Sequence, residues 1–178
     1  MEIKGDGFRL RRWQRDDAKE LQRLADNPKI AANLYNRFPS PYTLADAAFF
    51  INLKIDEDPI TSFVIEIGGR FAGTIGIEFR ADVFERSPVI GYWLGEDFWG
   101  RGVMTEATKL MTDYAFNQFD IICLQTGVFS WNPSSMRVLE KAGYEKQGIL
   151  KGVVFKNGQI LDEHIYLKHR GINAAGVL

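Results

Sequence analysis

The chain has 178 residues, a formal charge of −1, and 46% hydrophobic and 13% aromatic residues, ample apolar material for one domain with its own core. Near-neutral charge argues against nucleic acid as the main ligand, because a binding domain normally carries a basic excess. The single cysteine excludes an internal disulfide, no apolar run approaches the ~20 residues of a membrane span, and no apolar signal region follows Met1-Glu2-Ile3-Lys4, so a cytoplasmic protein without a membrane partner is expected.

Phe8 to Trp13 alternates apolar and basic residues, as a half-buried strand does. Asp16 and Asp17 open a helix whose face carries Ala18, Leu21, Leu24 and Ala25, and Asn27-Pro28 stops it. Ala31 to Pro41 reads as a short helix plus loop. Thr43 caps the next helix with Asp46 at its third position, and Ala47, Phe50 and Ile51 form its buried side. Strands over Thr61 to Ile67 and Phe71 to Phe79 flank Gly68-Gly69, a hairpin signal, because both glycines accept positive φ. Ile75, Ile77 and Phe79 share one face of the second strand, and Thr74, Gly76 and Glu78 the other. Ala81 to Ser87 is a charged loop.

Val89 to Leu94 is strand-like and runs into the turn Phe98-Trp99-Gly100-Arg101-Gly102. A helix starts at once, with Val103, Ala107, Leu110, Met111 and Tyr114 on its apolar face. First-turn amides have no intrahelical partner, the helix dipole adds partial positive charge, and Arg101 adds a full one. The turn therefore reads as a phosphate cradle; the plainer alternative is a strand–helix connection that uses Gly for packing. It is not a Walker loop, because Val103-Met104 stands where Lys and Ser or Thr are needed. It is not a dinucleotide fingerprint either, because the third Gly is absent.

Ile121 to Phe129 is a continuous apolar run, as in a strand buried on both faces. Asn132 as N-cap, Pro133 at the first position and Gly143 past the end delimit a helix with Ser135, Val138, Leu139 and Ala142 inward. Ile149 to Phe155 and Ile160 to Leu167 flank Asn157-Gly158, the best two-residue hairpin signal in the chain. Residues 171–178 read as a frayed tail behind one domain over 1–170. This order predicts an α/β (α+β) fold: a mixed sheet of about seven strands with helices on both faces.

Two stretches, IGYWLGEDFWGRGVMTEA (Ile90 to Ala107) and NPSSMRVLEKAGYEKQG (Asn132 to Gly148), together with the element order from Phe8 to about Lys168, resemble the GNAT superfamily of acetyl-CoA-dependent N-acetyltransferases. Within it the likeness is to the RimJ/RimL type, which acetylates protein N-termini. The resemblance implies the GNAT fold, a mostly antiparallel sheet whose central parallel strand pair splays apart to admit pantetheine. It also implies that the backbone at Trp99, Gly100, Arg101, Gly102, Val103, Met104 and Thr105 holds the pyrophosphate of acetyl-CoA. Trp93 and Leu94 match the strand edge that pairs with pantetheine. Asn132 matches a pantetheine-binding Asn, a role that can coexist with helix capping. Trp99 and Met104 depart from the superfamily's usual Gln or Arg and Gly or Ala, at positions where mainly backbone is needed.

The Tyr acid of many GNAT enzymes is replaced by Leu139. Ser135, on the same face, is the candidate donor to the departing thiolate, against the plainer role of a first-turn Ser bonding the helix backbone. A Glu used as base by several members is missing at Pro88-Val89-Ile90, and Glu78 is the best substitute, against an ordinary solvated sheet carboxylate. Cys123 reads as core, His164 and His169 lack a metal-ligand pattern, and no metal is expected. Asp56-Glu57-Asp58 either attracts a cationic amine or is a solvated loop. The reaction implied is direct attack of a primary amine on acetyl-CoA, with a protein N-terminal α-amine as acceptor. The alternatives are a small amine, such as a polyamine or aminoglycoside, or a catalytically weak acyl-CoA-binding module. Oligomeric state is unreadable from the sequence, which is compatible with a homodimer.

Overall fold

The computed structural model describes residues 1–171, so the expected tail, but for Gly171, lies outside the described residues. Eight strands form one sheet: β1 (Glu2–Gly5), β2 (Phe8–Arg11), β3 (Ser62–Ile67), β4 (Arg70–Glu78), β5 (Val89–Leu94), β6 (Cys123–Phe129), β7 (Glu145–Lys156) and β8 (Gln159–His169). Their order is β1-β2-β3-β4-β5-β6-β8-β7. The flanking helices are α1 (Ala18–Ala25), α2 (Pro28–Ala31), α3 (Leu44–Lys54), α4 (Val103–Gln118) and α5 (Pro133–Lys141). The mixed, mostly antiparallel GNAT-like sheet expected from the sequence is present. Its eighth strand is β1, which is too short, polar and exposed to carry an alternation signal.

The chain divides into two compact units: Met1–Gly76 with Tyr92–Ala107, and Ile77–Gly91 with Thr108 onward. In the first, β1 to β3 form an antiparallel run with β4. Asn27-Pro28 does more than stop α1. Asn27 Oδ1 accepts from Lys29 N at 2.9 Å and so caps α2, which begins ahead of the stretch where a short helix was expected. The Thr43 capping box forms as read: Asp46 N donates to Thr43 Oγ1 at 3.2 Å and Thr43 N to Asp46 Oδ2 at 2.8 Å. Ala47 and Ile51 are buried, while Phe50 is half-buried and meets the Trp13 ring edge-on at 5.2 Å.

In the second unit, α4 buries Thr108, Met111, Thr112, Tyr114 and Ala115, whereas Leu110 is only half-buried. The threonines are absent from the apolar pattern, and the hydroxyl of Thr112 is satisfied. Thr112 Oγ1 donates to the Thr108 carbonyl at 2.7 Å and lies 2.7 Å from Tyr144 Oη. Phe79 falls beyond β4 and is 42% exposed, so it does not continue the buried face of Ile75 and Ile77; its ring packs on Phe119. In the turn between β7 and β8, Asn157 (φ 50°) and Gly158 (φ 77°) both take positive φ, as a two-residue hairpin requires.

The first unit also carries a buried ionic cluster. Arg11 forks onto Asp17 (2.9 and 2.7 Å) and donates Nε to Glu66 (2.5 Å), whose other oxygen accepts from Arg9 at 2.6 Å. Arg11, Asp17 and Glu66 are under a tenth exposed. Burial pushes the Glu66 carboxyl up, but its arginine bonds outweigh that and hold it below the usual value. A depressed carboxylate stabilises the fold above its unfolded pKa of about 4.3, and the contribution is lost as pH falls toward the folded value. Glu66→Gln should therefore cost roughly 1–3 kcal/mol at pH 7 in urea unfolding. The variant should also lose stability less steeply than the parent between about pH 5 and 3.

Candidate active site

The first unit supplies the strand end and turn. Trp93 is fixed by its ring, 6.0 Å from Phe71 and 6.2 Å from Phe38. Gly73 of β4 lets the backbone behind it come close, because a Cβ there would sit 2.3 Å from the Trp93 carbonyl oxygen. The segment between β5 and α4 is stiffened by its own bonds. Phe98 N donates to Gly95 O at 2.9 Å and Trp99 N to Glu96 O at 3.2 Å. Glu96 is tied to α2 and its cap by Lys29 and by Asn27 Nδ2, the latter at 2.9 Å.

Trp99 and Arg101 act differently from a plain cradle. The Trp99 indole N–H donates to the Leu94 carbonyl at 2.7 Å, so that acceptor on the β5 edge is already engaged. Arg101 Nη2 donates to Asp97 O at 2.7 Å, with its guanidinium 5.7 Å from the Phe98 ring centre. Gly100 and Gly102 have φ of 75° and 79°, and a Cβ at either would meet nothing within 4 Å. Their side of the turn is open, and the N–H groups of Gly102, Val103 and Thr105 lie at the N-terminus of a 16-residue helix, where dipole and unbonded donors favour an anion. Met104 is buried beneath the turn. These residues fit a pyrophosphate.

In the second unit, β5 and β6 are the one parallel pair and share a single register pair, Val89↔Gln125. Gln125 N donates to Pro88 O at 3.1 Å and Ile122 N to Arg86 O at 2.8 Å; past Gln125 the strands stop pairing. This is the parting that the resemblance implies. Asn132 caps α5, its Oδ1 accepting from Ser135 N at 3.2 Å, and both side chains are half-buried. The preceding Trp131 has a buried indole nitrogen without a partner. Leu139 is fully buried.

Glu78, the base candidate from the sequence, is the exposed last residue of β4. A different carboxylate stands near the parting strands. Glu163 of β8 pairs across from Phe129, and its Oε1 fills the space a Cβ of Gly127 would need, 2.1 Å from that position. Tyr166 Oη donates to Glu140 at 3.0 Å and Lys168 Nζ to Ala142 O at 3.0 Å, so the alternate residues of β8 face α5 and Glu163 points to the opposite side. Glu163 is half-buried, has no hydrogen-bond or ion-pair partner among the described residues, and burial raises its pKa. Sequence reading passed it over because its neighbour Gly127 lies on another strand; no local pattern marks it. Cys123 is buried, with Sγ 3.5 Å from Ser87 Oγ. Among the described residues no cluster of His, Cys, Asp or Glu could hold a metal ion, and no helix is long and apolar enough to cross a membrane.

Comparison with known proteins fits this geometry. The sequence is 45% identical over 112 residues to the probable N-acetyltransferase YjcK of Bacillus subtilis (strain 168), covering 63% of this chain and 61% of that protein. It therefore spans under two thirds of that relative's length. It is 25% identical over 152 residues to the spermidine N(1)-acetyltransferase of Escherichia coli (strain K12), covering 85% and 80%. The fold superposes with a TM-score of 0.82 on RimL, the ribosomal L7/L12 α-N-protein acetyltransferase in complex with coenzyme A, at 18% identity and 95% and 98% coverage. The sequence model of the acetyltransferase (GNAT) domain matches residues 8–145, and with a parted parallel strand pair and a glycine turn opening α4, the chain belongs to the GNAT acetyltransferase family.

Proposed function

We propose that this protein is an acetyl-CoA-dependent N-acetyltransferase of RimJ/RimL type whose acceptor is a protein N-terminal α-amine. The observation that carries the reading is Glu163, an unpaired, half-buried carboxylate over Gly127 where β5 and β6 have parted. Its raised pKa makes it a better proton acceptor than an ordinary Glu. It replaces Glu78 as our base and removes the main reason to read the chain as a catalytically weak module.

In the proposed reaction the neutral amine attacks the thioester carbonyl. A C–N bond forms, the amine proton passes to Glu163 directly or through water, and the C–S bond breaks. Ser135 donates to the sulfur that leaves. The turn at Gly100 to Thr105 binds the pyrophosphate, and the free Nδ2 of Asn132 suits a pantetheine carbonyl. A carboxylate is a weak base even when raised. An α-amino group, with a pKa of about 8, offers far more neutral nucleophile at pH 7 than a lysine or polyamine near 10.4. The fold likeness to RimL agrees with this choice, while the spermidine-acetylating relative keeps a polyamine as the alternative acceptor.

Gly102→Asn tests the cradle, because Asn tolerates the left-handed φ yet adds a side chain on the open side. It should fold normally and lose at least tenfold in acetyl-CoA affinity by calorimetry; unchanged affinity would remove the turn from the site. For the base, kcat/KM should rise with pH through an acid limb above the ordinary Glu value, and Glu163→Gln should abolish that limb while Glu78→Gln leaves it. Because the ionised Glu163 is disfavoured by burial, its stabilising form is the protonated one, and stability is lost as pH rises through the folded pKa. Glu163→Gln should therefore raise Tm at pH 7 while lowering kcat. A panel of N-terminal peptides, lysine and polyamines decides the acceptor. Peptides should lead in kcat/KM at pH 7, and a polyamine that beats every peptide overturns the α-amine assignment.

A further inference from the structure

The closed end of the strand pair carries a device that the reaction scheme does not use. Arg80 follows β4 and reaches both strands with one guanidinium. Its Nε donates to the Ser87 carbonyl, on the lead into β5, at 2.9 Å. Its Nη1 and Nη2 reach Oε1 of Gln125 on β6 at 2.6 and 3.0 Å, with the Gln125 amide turned so that oxygen faces arginine. The Phe84 ring supports the guanidinium from below, 4.4 Å from its centre.

Gln125 is the residue at the sole register pair. It also shares a face of β6 with Gly127, since cross-strand partners alternate along the pair with β8. The chain of placement therefore runs from Arg80 to Gln125, then two residues on to Gly127, and from Gly127 to the Glu163 carboxylate packed over it. A single parallel register pair is a weak joint, because parallel bonds are slanted and slightly less stable. The planar guanidinium can hold two acceptors at once, which an ammonium cannot do in the same geometry.

We propose that Arg80 is a positioning residue that fixes the point at which β5 and β6 part, and through Gln125 sets the height of Glu163 at that opening. This rests on the acetyl-transfer reading, with Glu163 as proton acceptor. The consequence is a loss of chemistry with little loss of cofactor binding, because a misplacement of about 1 Å can cost on the order of a hundredfold in rate.

The test uses the full chain and the variants Arg80→Ala, Arg80→Lys, Gln125→Leu and the double variant Arg80→Ala/Gln125→Leu. Arg80→Ala and Gln125→Leu should each lower kcat about tenfold or more, with acetyl-CoA KM within about twofold. The pH midpoint of the acid limb should stay where Glu163 sets it. The double variant should be no worse than Arg80→Ala, as for two residues acting as one unit, and Arg80→Lys should fall between. Losses that multiply in the double variant, or an unchanged kcat, overturn the proposal. Hydrogen exchange supplies a readout free of catalysis: the Gln125 amide, bonded to Pro88 O, should exchange faster in Arg80→Ala and Arg80→Lys than in the parent. Unaltered exchange overturns the clamp whatever the activity shows. Faster exchange with no effect of Glu163→Gln on the acid limb keeps the clamp and removes the base assignment instead.

Discussion

Two parallel strands that share one register pair set the terms for everything near them. A parallel ladder normally continues as long as the strands do, because each backbone donor and acceptor needs a partner. Here β5 has six residues and β6 seven, yet only Val89 and Gln125 pair. The second unit therefore reinforces the one point of pairing. Beside the ladder bond Gln125 N to Pro88 O, it does so through Ile122 N to Arg86 O and the Arg80 fork. Past that point, Gly91 and Gly127 present no side chains, and Glu163 uses the room over one of them.

The turn into α4 answers a different constraint. As the proposed pyrophosphate cradle it must turn sharply without crowding its ligand face, and positive φ at Gly100 and Gly102 suits both needs. Trp99 bonds the Leu94 carbonyl and so ties the end of β5 to the start of the turn. Its indole replaces backbone pairing at an edge that is otherwise short of partners.

Where local signals coincided, the sequence was readable. Val89 to Leu94, the glycine turn and the helix from Val103 are found at those residues because strand pattern, turn chemistry and helical period agree there. Asn132-Pro133 and Asn157-Gly158 were legible for the same reason. β1 was not, since an exposed strand of four residues buries too little to leave a pattern. Thr108 and Thr112 were missed because buried hydroxyls break an apolar stripe; that of Thr112 bonds back to the helix carbonyl of Thr108. Glu163 was missed for a deeper reason. What makes it special is the missing Cβ of a glycine on another strand and the lack of an ion-pair partner among the described residues, and both are facts of register rather than of composition.

Glu66 and the proposed base Glu163 put one residue type in two opposite electrostatic settings. Both are removed from water to a degree, and burial pushes both carboxyls up. At Glu66 two arginines reverse the shift, so the ionised form is the stable one and the cluster strengthens the fold at neutral pH. At Glu163 nothing reverses it. A half-buried carboxylate without a partner destabilises the fold when ionised, and such a group persists where its proton affinity is useful. An arginine placed beside Glu163 would relieve the cost and lower the pKa, giving a more stable protein with a poorer base. Arg80, which follows β4, holds its guanidinium on the neutral acceptors of Ser87 and Gln125, and Glu163 has no ion-pair partner among the described residues. With no ion pair to lower it, the Glu163 carboxyl keeps the raised proton affinity that burial gives it, and the proposed base role depends on that.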